Sequence, residues 1–156
     1  YFVRLSDDSV TDESLMGWFA QQLLAFKCNP SQLVFEVCQK TIQMHLTESG
    51  KVVKSCKDLG CLFAIENFGL GDSPLRILGK MSIDFIKIDG SLMQGITGDT
   101  VLQERVRGYI DSAQNKQIQT IAERVDDANT MAVLWQLGVD FVQGYYVHEP
   151  EVVIEA

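Results

Sequence analysis

The sequence predicts an α/β fold, a TIM-like (β/α) barrel of which six of about eight strands lie within these 156 residues. Three observations predict it. Apolar runs of strand length alternate with amphipathic helical stretches, which implies parallel βαβ units joined by right-handed crossovers. Several runs are apolar throughout, as strands buried on both faces are. They end in polar residues, Glu36, Glu66, Lys87, Glu123 and Gln143, at the strand ends where barrels assemble their sites.

Taken in order, Tyr1–Ser6 reads as the first strand and Asp7–Asp12 as an acidic, Ser-rich loop. Thr11, Asp12 and Glu13 suit a helix start, and Leu15, Met16, Phe19, Leu23 and Leu24 form the apolar stripe of the helix that follows. Asn29-Pro30 stops it. Leu33–Val37 is the second strand, with Glu36 inside an apolar run, where a carboxylate is seldom left without a partner. A single helix through Val52, Val53 and Cys56 ends at Gly60. Leu62–Ile65 is a third strand, running into Glu66-Asn67-Phe68-Gly69-Leu70-Gly71, whose two glycines let the backbone turn sharply and approach a ligand. Ser73–Lys80 reads as a short helix with Pro74 in its first turn, and Ile83–Ile88 as a strand delivering Lys87 and Asp89.

Gly90–Thr100 reads as a mobile loop and Val101–Asn115 as a helix. Gln119–Asp126 is a short strand ending in charge. Asp127–Leu137 is a helix closed by Gly138 with Trp135 packed inward, and Asp140–Tyr146 is the last strand, with Pro150 soon after. A barrel of this type needs eight strands, so residues 1–156 are expected to form one domain whose first two units lie ahead of Tyr1.

Composition narrows the function. A net charge of −8 excludes a general nucleic-acid binder, which needs excess Lys and Arg. No apolar run is long enough for membrane insertion. Cys28, Cys38, Cys56 and Cys61 contain no Cys-x-x-Cys, and their spacing fits reduced thiols in a cytoplasmic protein. Cys38, just past a strand end, is a candidate to face a site, against the default of a small buried hydrophobe.

Six segments in order carry a likeness: Arg4-Leu5-Ser6; Leu33-Val34-Phe35-Glu36-Val37-Cys38-Gln39; Glu66 through Gly71; Lys87-Ile88-Asp89; Ala122-Glu123-Arg124-Val125-Asp126; and Gln143-Gly144-Tyr145. Together they resemble the EAL domain family, barrels that bind and, in active members, hydrolyse the bacterial messenger cyclic di-GMP. The family reads Asn-Leu-Ser, Leu-x-x-Glu-Ile-Thr-Glu, Asp-Asp-Phe-Gly-x-Gly, Lys-Ile-Asp, Ala-Glu-Gly-Val-Glu and Gln-Gly-Tyr at these places. The resemblance implies that Arg4, Glu36, Glu66, Asn67, Phe68, Gly69, Gly71, Lys87, Asp89, Glu123, Arg124, Asp126, Gln143 and Gly144 surround the cyclic di-GMP, and that the name-giving motif lies upstream.

The departures from the pattern set the functional expectation. Active relatives hold two magnesium or manganese ions with the name-giving Glu, the Asn, the Glu of the next strand and the aspartate pair. Here the Asn position is Arg4 and the pair is Glu66 and Asn67. A two-metal centre needs several oxygen ligands in tight geometry; the asparagine removes a negative charge and the arginine repels cations. The expectation is a catalytically inactive domain with no metal cofactor, in which Arg4 offers its planar fork of donors to phosphate or pairs with Glu36 or Glu66. Within the family the pattern resembles FimX-type proteins, which implies a cyclic di-GMP receptor controlling type IV pilus biogenesis and twitching motility, with a PilZ-type adaptor as partner and a homodimer as assembly. The alternatives are an active metal-dependent phosphodiesterase and a ligand-free structural or dimerising barrel.

Overall fold

The computed structural model describes residues 1–71 and 73–148. Six strands, β1 (Phe2–Leu5), β2 (Val34–Cys38), β3 (Leu62–Phe68), β4 (Phe85–Ile88), β5 (Gln119–Ala122) and β6 (Phe141–Val142), form one parallel sheet in sequence order. That order is a barrel wall. A doubly wound sheet reverses its order at a switch point, and no reversal occurs here.

Alternation along the strands separates two faces. Phe35, Val37, Phe63, Ile65, Ile86 and Ile88 are fully buried and share one core with Val52, Val53, Cys56, Val106, Ile110 and Leu134 from the helices. The other face has two tiers. Toward the strand starts Phe2 meets Phe85 edge-on at 5.9 Å between ring centroids, and Phe85 meets Phe141 at 6.5 Å. Further along the strands the same face carries Arg4, Glu36 and Lys87, with Arg4 opposite Glu36 in the ladder.

The helices are α1 (Asp7–Thr11), α2 (Leu15–Ala25), α3 (Gln39–Met44), α4 (Leu46–Asp58), α5 (Thr100–Gln114) and α6 (Ala128–Leu137). Side-chain caps start several of them: Ser6 accepts from Ser9 N, Asp99 from Leu102 N and Asp127 from Thr130 N. Gly60 and Gly138, at φ +81° and +89°, end α4 and α6 with left-handed caps that a side chain would strain. Aspartates at the strand starts tie neighbours together: Asp84 accepts from Phe63 N and pairs with Lys57, and Asp140 accepts from the amide and hydroxyl of Thr120.

Several expectations are corrected. Asp7–Asp12 is not a loop but α1, because Ser6 caps it and Val10 gives it a buried anchor. The second helix starts at Leu15, with Asp12 accepting from Ser14 N, and Leu24 is 81% exposed, off the buried side that Met16 and Leu23 define. The helix between β2 and β3 is two, broken at His45. Trp135 faces outward because α6 buries Thr130, Leu134 and Leu137, and position 135 lies off that stripe. Gly90–Thr100 is anchored: Asp89 caps a 3-10 turn at Gly90–Met93, and Leu92, Met93 and Ile96 are buried. The last strand is only Phe141–Val142, after which Gly144 accepts from Val147 N and His148 N in a turn. Pro150 lies outside the described residues.

That turn sets the first prediction. A Cβ on Gly144 would lie 2.3 Å from the backbone N and O of Val125, atoms that cannot swing aside. Gly144→Ala should therefore cost about 1–3 kcal/mol in chemical denaturation, the range for overpacking; unchanged stability would contradict the contact.

Candidate functional site

The charged tier at the C-terminal ends of β1 to β5 holds two ion-pair groups, Lys87 with Glu36 and Glu123, and Arg4 with Glu66. Lys87 Nζ donates to Glu36 Oε2 at 3.0 Å and lies 3.7 Å from Glu123 Oε1, with the ammonium 4.9 Å from the centre of the Phe2 ring. The Lys87 and Glu36 side chains are 8% and 10% exposed, so each supplies the charge the other needs in a dry setting. Arg4 Nε stands 2.6 Å from Glu66 Oε1, meeting it by charge without an aligned hydrogen bond, and the Arg4 side chain is 66% exposed where Glu66 is buried.

Three glutamates therefore share two cations. Burial pushes the Glu66 carboxyl above the ordinary range; Arg4 opposes the shift and Glu36 adds to it. Burial also pushes Glu123 up, against the pull of Lys87 and with Glu66 and Asp89 adding to the rise. Asp89 goes the other way: burial works to raise it but is outweighed by the Ser91 hydroxyl and amide, the Asn67 amide and the charge of Arg124.

Asn67 is set by a bulge. The β3–β4 register slips between Ile65 and Phe68, and Asn67 absorbs the extra residue at φ +51°, a conformation asparagine tolerates better than most. Its Nδ2 then donates to Asp89 Oδ2 at 2.9 Å. Phe68 is fully buried with its ring on Tyr109, 5.5 Å between centroids, and supports the turn from behind.

The Gly69–Gly71 turn is clamped from both sides. Gly69 N donates to Gln39 Oε1 at 2.9 Å, and Gln39 Nε2 donates to the Leu70 carbonyl. On the α5 side the Gly69 carbonyl accepts from Arg105 at 2.8 Å and from the Tyr109 hydroxyl at 3.2 Å, while Arg105 Nε donates to the same hydroxyl. Gly69 has no room for a side chain, since a Cβ would lie 2.8 Å from Leu92 and Tyr109.

Of the residues singled out from sequence, Lys87 pairs with Glu36 and Glu123, Arg4 pairs with Glu66, and Asn67 bonds Asp89, three neighbouring groups at the strand ends. Gly71 and the half-buried Cys38 line a cleft of about 360 Å³ with Gln39, Asn67 and Asp89, so Cys38 does face the site. Arg124, Asp126, Gln143 and Gly144 line a separate cleft of about 300 Å³ beyond β5 and β6. Arg105 and Tyr109 were missed. Their four-residue spacing reads as an ordinary helix pair, and nothing local announces a contact 36 and 40 residues back along the chain.

The donor set bears on metals. Among the described residues no group of three or more His, Cys, Asp or Glu side chains is placed to hold an ion. Glu36 and Glu123 turn to Lys87, and Glu66 to Arg4. A divalent cation needs ligands that converge on it, so binding one here would require these carboxylates to turn from their present partners.

The model of the EAL domain matches residues 1–150 of the sequence. The chain belongs to the EAL domain family. Similar proteins include the cyclic di-GMP phosphodiesterase PdeF of Escherichia coli, 26% identical over 155 residues, covering 99% of this chain and 21% of that protein. Among solved structures, the FimX EAL domain from Pseudomonas aeruginosa bound to c-di-GMP is 33% identical with a TM-score of 0.92, covering 96% of this chain and 62% of that one. The manganese and cyclic di-GMP complex of Klebsiella pneumoniae BlrP1 is 27% identical with a TM-score of 0.86, covering 92% and 37%. This EAL domain thus spans about a fifth of PdeF and about three fifths of the FimX chain. No helix among its described residues is long and apolar enough to cross a membrane.

Two predictions follow from the network. Lys87→Met strands Glu36 and Glu123 without their cation and should cost about 3–5 kcal/mol, the range for breaking a buried pair; a loss below about 1 kcal/mol in urea melts would contradict the pairing. Because the Glu123 carboxyl is raised in the folded state, its contribution is fully present below the ordinary carboxylate range and is lost as pH rises through the raised value. Glu123→Gln abolishes that dependence, so its Tm relative to the parent protein should climb as pH rises above the ordinary carboxylate range. A difference that stays flat, or falls, would show that Glu123 is not raised.

Proposed function

We propose that this EAL domain is a catalytically inactive receptor that binds cyclic di-GMP at the strand ends without metal ions. The observation that carries the reading is Arg4 on Glu66, a protein cation set against a carboxylate a metal pair would need, at a place where the family pattern has a neutral asparagine. A phosphodiesterase of the two-metal kind stabilises both the attacking and the leaving oxygen with its ions. A carboxylate drawn toward a guanidinium is lost to that clamp.

The same cation suits binding. Arg4 meets Glu66 at Nε, and its exposed guanidinium has further donors to offer a phosphate oxygen. The clamped Gly69–Gly71 turn, Asp89 and Gln143 shape the surrounding walls, and Phe68 braces the turn. The solved complexes of FimX and BlrP1 with the dinucleotide support the ligand's identity. The likeness to FimX supports the narrower role: a cytoplasmic signalling domain that regulates type IV pilus biogenesis and twitching motility through a PilZ-type adaptor, with a homodimer as its assembly.

The test is isothermal titration of the full-length protein with cyclic di-GMP in excess chelator, followed by product analysis after adding magnesium or manganese. Binding in chelator without linear dinucleotide is expected. Arg4→Ala should weaken that binding about tenfold to a hundredfold, the worth of a hydrogen bond between charged groups. Metal-dependent cleavage would overturn the inactive reading in favour of a phosphodiesterase built on Glu36, Glu66 and Glu123. No binding at all would overturn the receptor.

A further inference from the structure

Arg124 is held in an unusual way. Its φ is +54°, a left-handed conformation that a long side chain seldom adopts unless its surroundings impose it. Those surroundings are visible. The stem of Arg124 lies over Gly90, where a Cβ would come within 2.5 Å of its Cδ and 2.6 Å of its Cγ. The glycine opens a slot just past β4, and the arginine from the end of β5 runs across it.

The guanidinium so directed is exposed and takes part in no hydrogen bond or ion pair among the described residues, in a chain whose net charge is −8. It lies on the wall between two clefts. One, about 300 Å³, also has Asp126, Gln143 and Tyr145; the other, about 210 Å³, also has Asp126, Asp127 and Thr130. Asp126 accepts from the backbone amide of Tyr145 at 3.3 Å through one oxygen, and the Tyr145 side chain is largely exposed.

The lining of the larger cleft therefore includes a fork of donors, a carboxylate and an aromatic residue. A phosphate suits it poorly, because Asp126 would repel what Arg124 attracts. A guanine base suits both. Its O6 and N7 are two acceptors spaced for a guanidinium fork, its N1–H and N2–H₂ edge offers donors to a carboxylate, and its face can lie on a tyrosine ring. Adenine presents a donor at the place of O6 and would leave one arm of the arginine facing a like group.

We infer that Arg124 and Asp126 form a guanine-reading pair, with Arg124 donating to O6 and N7 of one base of the cyclic dinucleotide. The inference rests on the receptor reading above and adds to it the residues that set base specificity.

A chemical cycle tests it. The full-length protein and Arg124→Gly are each titrated in chelator with cyclic di-GMP and with its 7-deaza analogue, which lacks the N7 acceptor. Glycine accepts φ +54° without strain, so the variant should fold, as a thermal melt will verify. The unaltered protein should bind the 7-deaza ligand about tenfold more weakly than cyclic di-GMP, whereas Arg124→Gly should bind the two alike and both more weakly than the unaltered protein binds cyclic di-GMP. Arg124→Lys keeps the charge but not the fork and should resemble the glycine variant. Equal binding of both ligands by the unaltered protein, or discrimination that survives in Arg124→Gly, would overturn the pair while leaving the receptor standing. If the unaltered protein fails to bind cyclic di-GMP, both fall together.

Discussion

The structure depends on burying Lys87. An ammonium on the inner face of a sheet can be kept there only by carboxylates, and Glu36 and Glu123, from strands on either side, supply them. Removing a charge from water costs several kcal/mol per ion, and good pair geometry offsets that only when every member is present. The tier therefore ties β2 to β4 across β3, and β4 to the end of β5, through side chains. It also fixes which groups face a ligand. Glu66, third of the glutamates, lies beyond Lys87's reach and takes its partner from Arg4 at the end of β1.

A second constraint acts on the turn after β3. Its backbone is irregular, with Asn67 and Gly69 both at positive φ, and irregular backbone near a site keeps its shape only when its polar groups are satisfied. Gln39 satisfies one side and the Arg105–Tyr109 pair the other. The turn beside the charged tier is thereby joined to α5, and any shift of that helix is felt at Gly69. The tier and the turn meet at Asn67 and Asp89, where the bulge aims the asparagine amide at the carboxylate.

Much of the fold was legible because strands buried on both faces leave unmistakable apolar runs, and Leu33–Val37, Leu62–Ile65 and Ile83–Ile88 are such runs. Elements whose identity rests on a cap or a single anchor were not. The helix at Asp7–Thr11 hinges on Ser6 and Val10, and a stretch of acidic and small polar residues broken only by Val10 reads equally well as a loop. Trp135 was misplaced because size suggested burial, while the phase of α6 put it outside. At the site, the strand-end acids and Lys87 stood out as polar residues in apolar surroundings. Arg105 and Tyr109 did not, since only tertiary packing brings α5 to Gly69. Nor did the sequence alone show that Arg4 pairs with Glu66 and not with Glu36, its ladder neighbour; the pairing follows from Lys87 having taken Glu36.

A protein cation in place of metal ions is the centre of this account, and manganese binding tests that most directly. Electron paramagnetic resonance of free manganese, titrated with the full-length protein saturated with cyclic di-GMP, reads the number of ions held per chain. The free signal should stay undiminished at equimolar protein, because Arg4 holds Glu66 and the neutral Asn67 replaces a ligand carboxylate. Loss of one or two equivalents of signal per chain would contradict the account and would mean that Glu66 leaves Arg4 to build a metal centre.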